Sequence, residues 1–271
     1  MVRFVAGKPM PYHEDFAKAD GWSAADVSVR LNNAAARKFL TFLRRSGVTT
    51  VIRYYASSAR PKTITPVEAK LLFGHGFGIL PIFQDSSRHI SNFSSSIGTA
   101  NAKSAMGFAK RVGQPKDRGS TIFFAVDLDY PATQIDGPIL AYFHAIKQEI
   151  NGTFVIGAYG SGAVLSKLLA EGLITVPWIS MSPLFLGTEQ FFYSNRWSMR
   201  QVPPEVAHGS SGVGYDRNIV RVPRREIGAF QVDESGEGSR QAEKVVEFYV
   251  RRGLRSQLPD RCRVFSSNRR A

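Results

Sequence analysis

Apolar runs alternate with helical patterns along most of this chain, and that alternation constrains the fold more than any other feature. "AADVSV" (24–29), "TTVIRYYA" (49–56), "FGILPIFQ" (77–84), "STIFFAVDLD" (120–129), "FVIGAYG" (154–160) and "VPWISMS" (176–182) read as strands. Between them lie helical stretches at 32–47, 65–76, 99–113, 136–152 and 162–173. Asn32 or Asn33 caps the first of these and Gly47 ends it. Thr65, Pro66 and Glu68 form a capping box at the start of the second. Asp136 is the expected cap of the fourth. "RWSMRQVP" (196–203) and "YDRNIVRVP" (215–223) make seventh and eighth strands, with weaker helices around them.

Strands that alternate with helices build a parallel sheet. "TIFFAV" and "GILPIF" are continuously apolar, as strands buried on both faces must be. About eight such units fit an α/β fold of the (β/α)8 TIM-barrel type with irregular last units, ahead of a doubly wound open sheet. The barrel domain is expected over 1–233. Residues 234–271 then supply a linker, "ESGEGSR", a helix over 241–254 that could dock on the barrel, and a basic tail. From 237 to 271 there are nine basic and four acidic residues, a net of +5.

The formal charge of +13 draws such a chain to polyanions. No RNA-recognition, zinc-finger or helix-turn-helix signature is present, so no specific nucleic acid is expected. A single cysteine, Cys262, excludes a disulfide framework. The five histidines show no ligand spacing, and neither a metal nor another cofactor is expected. No apolar run is long enough to span a membrane, and the N-terminus shows no secretory h-region.

In a barrel of this kind the chemistry sits at the C-terminal ends of the strands. Asp26 marks the first strand, Arg53 and Tyr55 the second, Gln84 the third, and Asp127 with Asp129 the fourth. Tyr159, Trp178, Gln201 and Asp216 mark the fifth to eighth. Aromatic faces stack on sugar rings, and carboxylates and amides take sugar hydroxyls. Asp127 and Asp129 are two residues apart, so on an extended strand they share a face. Proximity then raises one pKa, giving an acid and an ionised partner as glycoside hydrolysis requires. The other reading of such a pair is structural, in a turn or a helix cap.

"VIRYYA", "TITPVEAKLLFGHGFGILPIFQ", "TIFFAVDLDYP", "AYFHAI", "FVIGAYGSGAVLSKLL" and "VPWIS" together resemble the glycoside-hydrolase-like family of unknown function related to the family 25 lysozymes. The resemblance covers roughly 21–222. It implies a (β/α)8-type barrel and a peptidoglycan-related substrate, since the family 25 lysozymes are muramidases. It also implies roles: Asp129 as general acid, Asp127 as the partner that steadies the reacting N-acetyl group, and Asp26 and Asp216 as the acids of the first and last strands. Those lysozymes carry Glu where this chain has Asp129, which reaches about 1.5 Å less far. A misplacement of that size can cost about a hundredfold in rate. Two functions therefore stand: a muramidase-like hydrolase of the cell wall, and a glycan-binding module on the same barrel. A nucleic-acid binder is the third, motivated by charge alone and opposed by an Asp-lined groove. The basic tail suits anchoring to anionic polymers. With no signal peptide evident, the protein is expected to be made in the cytoplasm and to reach a wall substrate by specialised export, by lysis, or by means of an upstream segment missing from this sequence.

Overall fold

The computed structural model describes residues 11–57, 60–116, 119–223 and 226–232. The expected linker, the helix over 241–254, Cys262 and the basic tail lie outside the described residues.

Eight strands close into a barrel in the order β1 to β8. They are β1 (Ala24–Asp26), β2 (Thr50–Tyr55), β3 (Gly78–Phe83), β4 (Thr121–Ala125), β5 (Val155–Gly160), β6 (Val176–Ile179), β7 (Met199–Ala207) and β8 (Gly214–Val220). Pairing is parallel from β1 through β7. β8 runs antiparallel to both β7 and β1, so the barrel is mixed rather than all-parallel. The cause is the connection: residues 208–213 are a hairpin loop, and a parallel crossover needs a dozen residues or more.

The helices between strands are α2 (Ala34–Arg45), α3 (Pro66–Gly74), α4 (Ser95–Val112), α6 (Leu140–Ile150), α7 (Gly162–Ala170) and α8 (Thr188–Tyr193). The Asn33 side chain caps α2 by accepting from Ala36 N, and the Thr65 hydroxyl caps α3 by accepting from Glu68 N. The return half of the expected capping box is replaced. Glu68 turns into the protein, where Oε1 accepts from Arg53 Nε at 2.7 Å and from Leu31 N at 3.1 Å.

Asp136 does not cap its helix. The helix begins upstream with α5 (Ala132–Gln134) and passes through a π turn at Ile135–Ile139 before α6. Pro138 sits in that turn, where its missing N–H breaks the regular ladder. Asp136 pairs with Lys167 of α7 instead, at 3.0 Å. A helix ahead of the barrel, α1 (Pro11–Ala17), is not foreshadowed by the apolar pattern. It seats Phe16 beside Phe192, with ring centroids 5.4 Å apart.

Strand parity decides what enters the barrel. Ile52, Leu80, Ile82, Phe123, Tyr159, Trp178 and Met199 form the interior cluster, against which Tyr54 packs. Gly157 belongs to that inward set opposite Phe123, and a Cβ there would meet the Phe123 ring at 2.6 Å. The alternate residues of β2 face the helical layer. Tyr55 stacks on Phe108 of α4, and its hydroxyl donates to Gln114 Oε1 at 3.0 Å. At the other end, Phe230 exchanges backbone hydrogen bonds with Ile79, and Thr121 N donates to Gly228 O. That segment passes across the N-terminal ends of β3 and β4, leaving the C-terminal ends for a site.

Candidate active site

The C-terminal ends of β1 to β7 and the N-terminal end of the reversed β8 surround a cavity of about 650 Å³, a volume typical of a small-molecule site. Of the residues expected there, Asp26, Gln84, Asp127, Tyr159, Trp178, Gln201 and Asp216 line it. Arg53, Tyr55 and Asp129 do not.

Arg53 and Tyr55 are excluded by parity, because neighbours along a strand point to opposite faces. Tyr54 takes the inward position instead. Arg53 is completely buried, donating to Glu68, to the Val27 carbonyl and to the Lys62 carbonyl. It holds the end of β1, β2 and the start of α3 together behind the barrel wall.

Asp127 and Asp129 part company because β4 ends at Ala125. Two-residue periodicity lapses beyond that point. Asp127 faces the cavity, where its Oδ2 accepts from Arg88 Nε at 3.0 Å and from Gln84 Nε2 at 3.2 Å. Asp129 is exposed and accepts from Leu186 N at 2.9 Å, which ties the β4 loop to the loop before α8.

The acids that do face one another are Asp26 and Asp216, register partners across the β1–β8 pair. Gln201 on β7 links them. Its Nε2 donates to Asp216 Oδ2 at 2.8 Å and lies 3.5 Å from Asp26 Oδ2. Tyr159 fixes the amide by donating its hydroxyl to Gln201 Oε1 at 2.7 Å. The Tyr54 hydroxyl donates to Asp26 Oδ2 at 3.0 Å. Burial, with the Asp216 charge adding to it, pushes Asp26 up to about 7. Burial, with Glu205 next, raises Asp216 to about 6. Tyr54 and Tyr159 are raised well above the usual phenol range, chiefly by burial, and donate their hydrogen bonds as neutral phenols.

Lys62, Arg88 and Glu205 also line the cavity without being singled out by the sequence. Lys62 lies 4.4 Å from the Tyr54 ring centre and donates to Gln84 Oε1 at 2.7 Å. Its burial, with Arg60 nearby, lowers its pKa. Tyr54 was legible from parity once Ile52 was placed inward. Lys62 and Glu205 carried no such signal, since one sits in a loop and the other in the outer half of β7. No group of three or more His, Cys, Asp or Glu side chains arranged to hold a metal occurs among the described residues. No described helix is long and apolar enough to cross a membrane.

The family model described as "Rv2525c-like, glycoside hydrolase-like domain" matches residues 41–220. The Bacillus subtilis (strain 168) proteins YbfG and FadG, both described as uncharacterized, are 30% and 28% identical over 192 and 186 residues. Each match takes in 65% of this chain, but 26% and 32% of the relative, so the chain spans about a quarter to a third of their length. Among solved structures, the Tat-secreted protein Rv2525c of Mycobacterium tuberculosis, in complex with L-tartrate, superposes with a TM-score of 0.63 at 20% identity, covering 76% of this chain and 98% of that one. An uncharacterized B. stearothermophilus protein gives 0.55 at 15% identity, covering 77% and 99%. At such identities the likeness is one of fold.

Proposed function

The chain belongs to the Rv2525c-like, glycoside hydrolase-like family, and from that premise we propose that its strand-end cavity binds a glycan and cleaves a glycosidic bond with acid assistance. One observation carries the reading. Asp26 and Asp216, with pKa values of about 7 and about 6, share the cavity with Asp127. Near neutral pH such a set holds a proton on one carboxyl while another stays ionised, which is the division of labour that glycoside hydrolysis needs. The proton donor on this reading lies in the Asp26–Asp216 pair, and Asp127 is the anionic partner. Tyr54, only partly buried, supplies aromatic surface for a sugar ring, and Gln84 and Gln201 supply amides.

Peptidoglycan strands are the first substrate to test, because the linked motifs resemble those of the family 25 lysozymes. A binding module is the second reading. It is favoured by Asp127 Oδ2, which already accepts from both Arg88 and Gln84, and by the engagement of Asp129 outside the cavity.

Purified peptidoglycan incubated with the protein separates the two. Release of glycan fragments with new reducing ends, seen by mass analysis, identifies a hydrolase. Retention of the protein on insoluble wall without release identifies a binding module. Neither release nor retention removes peptidoglycan as the ligand.

A further inference from the structure

Resting on that glycan reading, we propose that the Asp26–Asp216 side of the cavity is a subsite for an amino sugar carrying a free ammonium group, in preference to its N-acetylated form. Asp26 Oδ1 and Asp216 Oδ1 are both buried and have no hydrogen-bond partner among the protein's described groups. Asp26 is only 5% exposed. The partner Oδ2 atoms are already satisfied, by Tyr54 and Gln201 for one and by Gln201 for the other. Two carboxyl oxygens on register partners therefore lack donors, on two residues that line the cavity. An ammonium group brings three donors and a full charge, and its hydrogen bonds to carboxylates are charge-assisted. An acetamido group brings one N–H and no charge.

The local charge agrees with a cationic ligand. The chain as a whole carries +13, yet five carboxylates and two cations line this cavity. Two of the five are engaged, Asp85 by Arg60 at 3.5 Å and Asp127 by Arg88 at 3.0 Å, which leaves Asp26, Glu205 and Asp216 on this side. Arg53 and Lys62 are the cations that bear on Asp26, and both are committed elsewhere, Arg53 to Glu68 and two carbonyls and Lys62 to Gln84.

The ammonium takes the place of the proton that the pair otherwise holds. Asp26 faces Tyr54 and Arg53 of β2, Lys62 beyond it, Tyr159 of β5 and Asp216 itself. Asp216 faces Gln201 and Glu205 of β7 and Asp127 beyond β4. The acids outnumber the cations around the pair, so an arriving cation favours ionisation of both carboxyls. Affinity for the amino sugar therefore rises as pH climbs from about 4.5 to about 6.5, and affinity for the acetylated sugar changes little.

Calorimetric titration of the protein with the tetramers of glucosamine and of N-acetylglucosamine, in about 150 mM salt to screen distant charges, tests this. At a pH of about 6.5 the glucosamine tetramer is expected to bind about tenfold more tightly, with the preference shrinking at about 4.5. Asp216→Asn and Asp26→Asn, each checked for folding by circular dichroism and thermal melting, are expected to reduce it. Equal or weaker binding of glucosamine to the wild-type protein overturns the inference, as does a preference that survives in both variants. Binding of the acetylated tetramer alone removes the amino-sugar subsite and leaves the glycan cavity standing. Binding of neither removes both.

Discussion

Asp26 and Asp216 are register partners across the antiparallel β1–β8 pair, and the single amide of Gln201 reaches both carboxyls. Two like charges brought together below the surface cannot both ionise cheaply, and the pair retains a proton that an unfolded chain releases.

That retention has a sign in stability. The Asp26 carboxyl titrates at about 7 in the folded protein against 3.8 in its ordinary state. Between those values the folded state binds more protons than the unfolded one, so stability falls as pH rises from about 4 to about 7 and then levels. Asp26→Asn keeps the shape and an acceptor for Tyr54 while removing the ionisation. It is expected to stabilise the protein at pH 8 by something on the order of 2–4 kcal/mol, with the gain vanishing below pH 4. Urea unfolding at the two pH values measures this; an equal effect at both would separate the pair from the pH dependence.

The buried ion pair between β2 and α3 behaves oppositely. Arg53 and Glu68 are both fully buried with Nε and Oε1 2.7 Å apart. Arg53 also donates to the carbonyls of Val27 and Lys62. Glu68→Gln leaves a guanidinium buried without its counter-charge and is expected to cost about 3–5 kcal/mol. Replacing both residues by apolar ones of similar volume should cost less than that single change, a comparison that denaturant unfolding makes directly.

How much of this was legible in the sequence follows from what each argument needed. Continuous apolar runs such as "TIFFAV" sufficed for buried strands, and the alternation with helices sufficed for a barrel. Reversal of β8 depended on the short loop at 208–213, which "YDRNIVRVP" does not announce. Tyr54 and Tyr55 differ only in parity, and parity is fixed by which β2 residue meets the core rather than by residue type. Asp26 and Asp216 were each identifiable at a strand end. Their pairing was not, because it requires the register of strands far apart in the chain. The pairing of Asp127 with Asp129 assumed that β4 continues to Asp129, and it stops at Ala125.

Those two acids give the sharpest functional test. Asp127 lines the cavity and is held there by Arg88 and Gln84. Asp129 accepts from Leu186 N on the outer loop. If cleavage occurs in the cavity as proposed, Asp127→Asn removes a charge beside the reacting sugar and is expected to lower the rate of glycan release at least about a hundredfold. Asp129→Asn keeps an acceptor for Leu186 and is expected to change the rate by less than about threefold, within the usual range for a surface substitution. Asp216→Asn, which removes a carboxyl from the pair that holds the proton, should flatten the alkaline side of the pH–rate profile. Rates of fragment release from purified peptidoglycan, followed by mass analysis across pH for all three variants, decide the matter. Loss of turnover in Asp129→Asn with binding intact would return the proton donor to the β4 loop, and would require that loop to swing Asp129 into the cavity when substrate binds.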